Sequence, residues 1–374
     1  MSKTGPLRSI RISVFLVIIV IGFSIVVALC RPGIAHAAES QWILPNKPGD
    51  PLLWGRRDGV VFGLPSDGGL PGPRGLIRIG VISAKTGTPE LLNFIAIEPV
   101  VAGRKKRGDR MAFSELEPSN LDAGLQGKRL WVGVVDSASP SPGNFSLSSF
   151  LSPDGATRIE KLTVRIEVER FTANHAHVYL VASMESEHPE EVRMTVYRYE
   201  DSPVIEELTL TATMGNYERL RWLWLKNQVI DSRKLYRSYK GEDFAERGSY
   251  PSKDMLKTKD GDAIVFCTSN EANPESNPDF QAKDHWRYRL GRLTQYWRVP
   301  KADIERNLRV RVNGRRVYWN SHDLIAGGVA FENFEVREKY KPGQSFIFGA
   351  VAKEPWEILP PIPDLAHSRN PEDN

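Results

Sequence analysis

Two residues near the middle of the chain, His177 and Tyr199, have side chains that can move protons. An imidazole accepts a proton near neutral pH and a phenol can donate one, so the pair can serve as general base and general acid. Arg193 adds a fixed positive charge that can hold an anionic group. These residue types predict His177 and Tyr199 as the catalytic residues of a lyase or an epimerase, with Arg193 as a substrate-binding residue.

Aromatic and basic residues accompany this pair in two stretches. Tyr179 lies two residues from His177, and Tyr197 lies two residues from Tyr199. Trp286, Arg289 and Trp297 lie in a later stretch rich in aromatic residues and arginines. A sugar ring can stack on an aromatic side chain, and a guanidinium pairs with a carboxylate or a sulfate. We predict that these five residues bind a carbohydrate, either neutral or acidic. A solvated sheet face, or core packing with arginine heads in water, is the competing interpretation.

Other groups of residues are weaker candidates for a metal site or a catalytic site. His175 and His177 have a spacing that can supply two ligands to a transition metal, but the spacing indicates no third ligand. Glu98 lies at the end of an apolar run, and Glu115 and Glu117 share a face if their segment is extended, as a glycosidase carboxylate pair requires. A carboxylate paired with an arginine explains these acids equally. Phosphate-loop, dinucleotide, nucleophile-elbow and zincin motifs are missing, and we predict neither a metal nor a cofactor.

The candidate residues lie in a series of short strands. Apolar and polar residues alternate with a period of two, and turn signals interrupt them, which indicates antiparallel strands. The central predicted strands span residues 162–171, 177–184, 192–199, 205–214 and 219–225. Downstream, Asn313-Gly314 predicts a two-residue hairpin turn, and residues 329–337 and 345–351 are predicted as the last strand pair. The predicted fold is all-β, a large antiparallel β-sandwich of supersandwich or jelly-roll type.

One sequence segment between the central predicted strands supports a resemblance to a known family. Tyr199-Glu200-Asp201-Ser202-Pro203-Val204-Ile205-Glu206 joins two long predicted strands. With it, the segment Leu162–Leu225 resembles the central sheet of the galactose-mutarotase-like supersandwich, a fold shared by aldose epimerases and by domains of polysaccharide lyases and glycoside hydrolases. The resemblance covers about a fifth of the chain and implies a carbohydrate-active β-sandwich. It contains no catalytic motif, so no site residue is transferred from it.

Residues 1–37 have the pattern of a secretory signal peptide. A basic segment precedes the uncharged stretch Ile12–Cys30, and Ala35-His36-Ala37 supplies small residues where a signal peptidase cleaves. We therefore predict cleavage after Ala37 and export to the periplasm, the cell surface or the medium. The alternative is an uncleaved membrane anchor over residues 12–30, because a helix of that length approaches the thickness of a bilayer core.

The charge balance argues against a nucleic-acid partner. The chain has 50 Lys and Arg residues against 46 Asp and Glu residues, and residues 1–37 contain four of the basic residues and no acidic one. The exported chain would therefore be neutral. Its one remaining cysteine, Cys267, lies in an apolar run and is predicted to be a buried thiol.

The predicted organisation is a β-sandwich domain over residues 38–354, followed by a Pro-rich tail over 355–374. An internal boundary near residues 140–155 is an alternative. Two functions stay open. The first is an exported protein that binds a carbohydrate on the polar face of its large sheet and processes it as a lyase or epimerase. The second is a non-catalytic glycan-binding or cell-envelope structural protein.

Overall fold

The computed structural model describes residues 41–64, 75–101, 129–132, 145–171, 174–213, 218–246, 248–269, 278, 293–319 and 321–360. These residues belong, from Trp42 onward, to one contact unit. The strands are, in chain order, β1 Trp42–Ile43, β2 Leu53–Arg56, β3 Val60–Gly63, β4 Ile77–Ile82, β5 Pro89–Val101, β6 Leu130–Trp131, β7 Phe145–Leu151, β8 Arg158–Val168, β9 Val178–Glu185, β10 Glu191–Arg198, β11 Ile205–Thr213, β12 Trp222–Leu225, β13 Gln228–Asp231, β14 Gly248–Pro251, β15 Leu256–Lys257, β16 Ala263–Thr268, β17 Thr294–Val299, β18 Arg309–Arg315, β19 Ala330–Lys339 and β20 Ser345–Val351. The helices are α1 Ser232–Leu235, α2 Pro355–Ile358 and two 3₁₀ turns, Ser252–Asp254 and Lys301–Asp303.

Within the described residues the strands form two antiparallel sheets, which confirms the predicted all-β sandwich. The nine-stranded sheet has the order β1-β2-β3-β4-β5-β11-β19-β18-β14. The eleven-stranded sheet has the order β13-β12-β16-β17-β20-β10-β9-β8-β6, with β15 paired to β16 and β7 paired to β8. Because side chains alternate along each strand, every sheet has an inner face and an outer face.

The core lies between the inner faces. Leu208 and Leu210 of β11 and Val178 and Leu180 of β9 are completely buried there, and their strand neighbours point the other way. The two sheets also share polar contacts across this core, such as the bond of 2.8 Å from Asn93 Nδ2 to Gln295 Oε1. The inner faces therefore supply the hydrophobic burial that fixes the register, since a slip of one residue would exchange the faces.

The central meander follows the prediction for three strands and then departs from it. Strands β8, β9 and β10 are adjacent and antiparallel, with Val164 opposite Ala182 and Met194 opposite Ala182. Strand β11, expected to continue the meander, instead lies between β5 and β19 in the nine-stranded sheet. Both faces of β11 are buried, and one of them packs in the core. The alternation of apolar and polar residues in the sequence therefore does not show that the chain changes sheet here.

The predicted hairpin at Asn313-Gly314 is wrong. Both residues lie inside β18, where the register with β19 shifts between them. A Cβ atom on Gly314 would come within 2.6 Å of Val329 Cγ1 and 2.9 Å of the Ala330 carbonyl oxygen. The glycine is therefore required by close approach at a bulge and not by a turn.

The C-terminal strands also differ from the prediction. Strands β19 and β20 were expected to pair with each other, but β19 belongs to the nine-stranded sheet and β20 to the eleven-stranded sheet. Helix α2 continues the ordered chain past residue 354, and its Trp356 packs against Trp224 with 5.8 Å between ring centroids. The described fold thus extends to Pro360, later than the predicted start of the tail, and residues 361–374 lie outside the described part.

Several predictions concern residues outside the described ranges. The signal peptide falls within residues 1–40, and the proposed internal boundary overlaps residues 133–144, so both stay predictions. Within the ranges that the structure describes, no helix is long and apolar enough to cross a membrane. The prediction for Cys267 is confirmed, because the thiol is completely buried in β16 and burial raises its pKa.

Candidate functional site

Four of the predicted site residues lie side by side on the outer face of the eleven-stranded sheet. Tyr197 of β10 is directly opposite Tyr179 of β9, while His177 and Tyr199 extend the same two chains by one pair. All four side chains are half-buried. We call His177, Tyr179, Tyr197 and Tyr199 the aromatic ladder. The structure therefore brings both predicted catalytic residues together with two of the predicted binding residues.

The rings of the ladder pack on one another. His177 and Tyr199 are stacked with 4.1 Å between centroids, and Tyr179 and Tyr197 with 5.1 Å. The guanidinium of Arg165 lies over the Tyr179 ring, 3.8 Å from its centroid, in a cation–π contact. Because these ring faces contact each other, the ladder offers mainly ring edges and hydroxyl groups to a ligand.

The polar atoms at one end of the ladder are also paired. The Tyr199 hydroxyl donates to Glu167 Oε2 and accepts a bond of 2.9 Å from Arg165 Nη2. Burial and then the bond to Glu167 raise the pKa of this hydroxyl. His177 Nδ1 lies 2.8 Å from Asp201 Oδ1, and this bond lowers the pKa of the Asp201 carboxyl. The imidazole is thus oriented by a carboxylate, as in a general base.

The remaining predicted site residues do not join the ladder directly. Arg193 lies on the same outer face, half-buried, opposite Ser183 of β9 and Ile347 of β20. Trp297 does not lie on this outer face. It is completely buried in the core, and its Nε1 donates a hydrogen bond of 2.9 Å to the Phe334 carbonyl oxygen. Its assignment as a surface platform is wrong because β17 turns its aromatic face inward at this position. Trp286 and Arg289 lie outside the described residues.

A second polar surface lies on the outer face of the nine-stranded sheet, on β5, β11, β19 and β18. Register places its residues in three rows that run across the strands. We call these the polar rows; they are Glu98-Thr209-Arg337, Ala96-Thr211-Glu335-Arg311 and Phe94-Thr213-Asn333-Asn313. Every one of these side chains is buried, with exposed fractions of 4% or less. An outer sheet face that is polar and yet enclosed is unusual, since buried polar and charged groups cost free energy unless they are paired.

Charged groups in the polar rows have partners. Arg311 Nε lies 3.5 Å from Glu335 Oε2 in the second row. Arg337 Nε donates a bond of 2.8 Å to Glu207 Oε2, just beyond the first row. These pairs place guanidinium and carboxylate groups close together in an enclosed environment, where their interaction is much stronger than in water.

Neutral groups between these charges are less well satisfied. The hydroxyls of Thr209 and Thr211 have no hydrogen-bond partner among the described residues, and neither has Asn333 Nδ2. The neighbouring Thr213 hydroxyl, by contrast, donates a bond of 2.5 Å to Asn333 Oδ1. Each buried polar group left without a partner costs about 1–3 kcal/mol. Three of them on one enclosed face therefore need an explanation.

The sequence carried part of this signal. The sequence predicts Glu98, Glu115 and Glu117 as candidate catalytic acids, of which Glu115 and Glu117 lie outside the described residues. The alternation of Thr209, Thr211 and Thr213 with leucine and alanine is typical of an ordinary strand with one buried face and one solvent-exposed face. Only the position of β11 between two other strands shows that the threonine face is enclosed.

The described residues contain no group of three or more His, Cys, Asp or Glu side chains arranged to hold a metal ion. His175, one half of the predicted His-x-His spacing, is exposed in the left-handed backbone region with φ of 61°. The other half, His177, is bonded to Asp201.

Comparison with known proteins does not assign a family. No protein-family model matches the chain, and no curated protein matches it. A solved structure described as "Crystal Structure Analysis of HI1317" aligns over 83% of this chain and 100% of its own, with 12% identity and a TM-score of 0.23. A similarity at that TM-score carries no argument about fold or function.

Proposed function

We propose that this chain is an exported glycan-binding protein, a galactose-mutarotase-like β-sandwich that contacts carbohydrate through the aromatic ladder. The observation that carries the proposal is the convergence of the ladder on two adjacent strands with Arg193 on the same face. Three tyrosine hydroxyls and one imidazole edge at one surface suit the many hydroxyls of a sugar. Arg193 suits an acidic group of that sugar.

The geometry favours binding over proton transfer at Tyr199. A phenol has one proton, and the Tyr199 hydroxyl already donates it to Glu167 while accepting from Arg165. Its raised pKa keeps that proton in place at neutral pH. Donation to a leaving group would require the bond to Glu167 to break first, so Tyr199 is better suited to holding a substrate.

Catalysis at His177 is the second candidate function, and one observation favours it. The Asp201 carboxylate holds His177 Nδ1, which fixes the ring and leaves Nε2 as the atom that would accept a substrate proton. In a lyase or an epimerase that atom would abstract a proton next to a carboxylate or a carbonyl group of the sugar.

A glycan array followed by a depolymerisation screen tests both functions. The array measures binding by the purified protein, and the screen follows new ultraviolet absorbance and new reducing ends. We expect Tyr197→Ala and Arg193→Ala to weaken binding at least tenfold, and Tyr250→Phe, which alters a tyrosine of β14 in the other sheet, to leave it unchanged. If turnover is found, His177→Ala should abolish it while binding persists.

Two results would reject the proposal. The first is that no glycan on the array binds, and the second is that Tyr197→Ala binds every glycan as tightly as the unaltered protein. Export is tested separately, by expressing the full chain in bacteria and measuring the mass of the recovered protein. A mass equal to that of the chain from Ala38 onward supports export with cleavage. The mass of the full chain contradicts cleavage.

A further inference from the structure

We propose that the edge strand β7, Phe145–Leu151, is a self-association site at which two copies of this chain pair antiparallel around a two-fold axis at Ser148. The pairing joins the eleven-stranded sheets of the two copies into one continuous sheet. It requires neither a glycan nor the aromatic ladder.

Strand β7 is paired on one side only within the described part of the chain. It lies against β8 along all seven of its residues, from Phe145 opposite Val164 to Leu151 opposite Arg158, and no described strand pairs with its other side. Backbone N–H and C=O groups on that side can therefore form hydrogen bonds with another extended chain. A further strand can be added here without moving any described strand.

The side chains of β7 are open to solvent on both faces of the strand. Six of its seven residues are exposed, and Phe145 is half-buried. Leu147 and Phe150 are each 42% exposed, and Leu151 is 65% exposed. This one strand thus carries three of the six exposed large hydrophobic residues in the described ranges. Apolar side chains gathered in this way are typical of a surface that another protein covers.

The other described edge strands are protected against such pairing. Strands β1, β6 and β15 have two residues each, and β13 and β14 have four. Strand β13 ends in Asp231, β15 in Lys257 and β14 in Pro251. Short length, charge and proline are the usual features that keep a sheet edge from pairing with other chains. Strand β7 has seven residues and neither a charge nor a proline, although 26% of the residues of the chain are charged.

The sequence of β7, Phe-Ser-Leu-Ser-Ser-Phe-Leu, suits a second copy of itself as the partner. An antiparallel pair centred on Ser148 is the only register that pairs all seven residues of each copy. It places Phe145 opposite Leu151 of the second copy, while Leu147 and Phe150 lie opposite serines. Each apolar residue therefore meets another apolar residue or a small side chain. The same patch serves both copies, as in the isologous contact of a two-fold dimer.

The charge nearest to the proposed axis is already balanced. Lys161 of β8 lies opposite Ser148, and its Nζ forms an ion pair of 2.8 Å with Glu185 Oε1 of β9. No charged residue of β7 itself faces the second copy. Two copies can therefore approach without like charges opposite each other, which would oppose the pairing.

Charges placed at the axis test the pairing by sedimentation velocity of the purified protein. A single strand pair is a small interface, so we expect the unaltered protein to form a dimer with a micromolar dissociation constant. Ser148→Lys and Ser148→Asp each set two like charges directly opposite one another and should weaken the dimer at least about fivefold. An equimolar mixture of the two variants pairs lysine with aspartate and should restore it. Val204→Lys, at a residue that is 64% exposed outside the strands, is the matched control and should leave association unchanged.

A disulfide at the axis tests the register. Directly opposite residues of an antiparallel pair have Cα atoms about 4.5–5.5 Å apart, a separation that a disulfide can span. With Cys30 replaced by serine, Ser148→Cys should form a covalent dimer on mild oxidation, and Val204→Cys should not. Cys267 is completely buried and does not compete. A non-reducing gel separates the two results.

Three results would overturn the proposal. The first is that the unaltered protein sediments as a monomer throughout the micromolar range. The second is a dimer that persists equally in Ser148→Lys and is not cross-linked in Ser148→Cys, which would place the interface elsewhere. The third is a mixture of the lysine and aspartate variants that does not associate. All of these measurements are made without a glycan, so their outcome is independent of the proposed function.

Discussion

The two outer faces of the sandwich both carry polar side chains, but these side chains differ in their exposure and in their hydrogen-bond partners. On the eleven-stranded sheet, Tyr199 is bonded to Glu167 and Arg165, and His177 is bonded to Asp201, in positions that water also reaches. On the nine-stranded sheet, the Thr209 and Thr211 hydroxyls are enclosed and lack described partners.

This difference shows what identifies a candidate site. Tyrosine, histidine and arginine attract attention in a sequence, but on a wet sheet face they can bond to each other at little cost. Threonine attracts none, yet an enclosed threonine without a protein partner carries a free-energy penalty that a buried water molecule can remove. A ligand can therefore reach the half-buried ladder directly, whereas the polar rows are shielded from solvent.

The largest expected effect comes from breaking the enclosed ion pair of the polar rows, and the exposed ion pair beside the ladder serves as its comparison. Arg311→Ala should destabilise the protein by about 3 kcal/mol, because it leaves the carboxylate of Glu335 enclosed without this arginine. Arg165→Ala should cost less than about 1 kcal/mol, since the Arg165 side chain is half exposed and its pair with Glu167 is screened by water. Urea unfolding measures both free energies. Equal losses would contradict the assignment of one face as enclosed.

The next prediction concerns pH and a buried carboxyl at the end of β19. Burial raises the pKa of Glu338 to about 8, with the nearby carboxylates of Asp303 and Glu305 adding to the shift. Its value in the unfolded chain is close to 4.5. Between these two values the folded state holds more protons, so stability should fall as the pH rises from about 5 to about 8.

Urea midpoints measured across that pH range test this prediction. Glu338→Gln, which keeps a neutral side chain able to bond with Gln344, should flatten the profile. Asp303→Asn should reduce the slope without abolishing it. A profile that keeps its slope in Glu338→Gln would assign the titration to another group.

A smaller effect is expected at the ladder. Tyr199→Phe removes the hydroxyl bonded to Glu167 and Arg165 but keeps the ring stacked on His177, so it should cost about 1 kcal/mol. Tyr250→Phe is the matched control, because it removes a hydroxyl from a half-buried ring in β14. It should cost less than about 0.5 kcal/mol. Chemical denaturation resolves the two values. A loss above about 3 kcal/mol in Tyr199→Phe would show that the ladder is structural and not a binding surface.

Much of the fold followed from alternation, and the exceptions have clear physical causes. The strands around Val164, Val178 and Met194 were predicted because their apolar face is buried and their polar face is not. The position of β11 was not predicted, because a strand that changes sheet has the same local pattern as one that continues a meander. Asn313-Gly314 has the chemistry of a turn, but close packing at a bulge requires glycine just as strictly.

The candidate sites were predictable to a lesser degree. The ladder could be foreseen, since register alone brings His177, Tyr179, Tyr197 and Tyr199 together once β9 and β10 pair. Trp297 could not be excluded in advance, because a tryptophan with polar neighbours suits either a surface or a core. The polar rows depend on strands far apart in sequence, from Glu98 to Glu335, so no local pattern indicates them.

The most direct test of the account is a crystal structure of the protein soaked with the sugar that binds most tightly. The account predicts density for one sugar unit at the aromatic ladder, with its hydroxyl oxygens within hydrogen-bond distance of the Tyr179 and Tyr197 hydroxyls or of His177 Nε2. A sugar found only away from these residues, with ordered water at the ladder, would contradict the claim that the ladder is the binding surface.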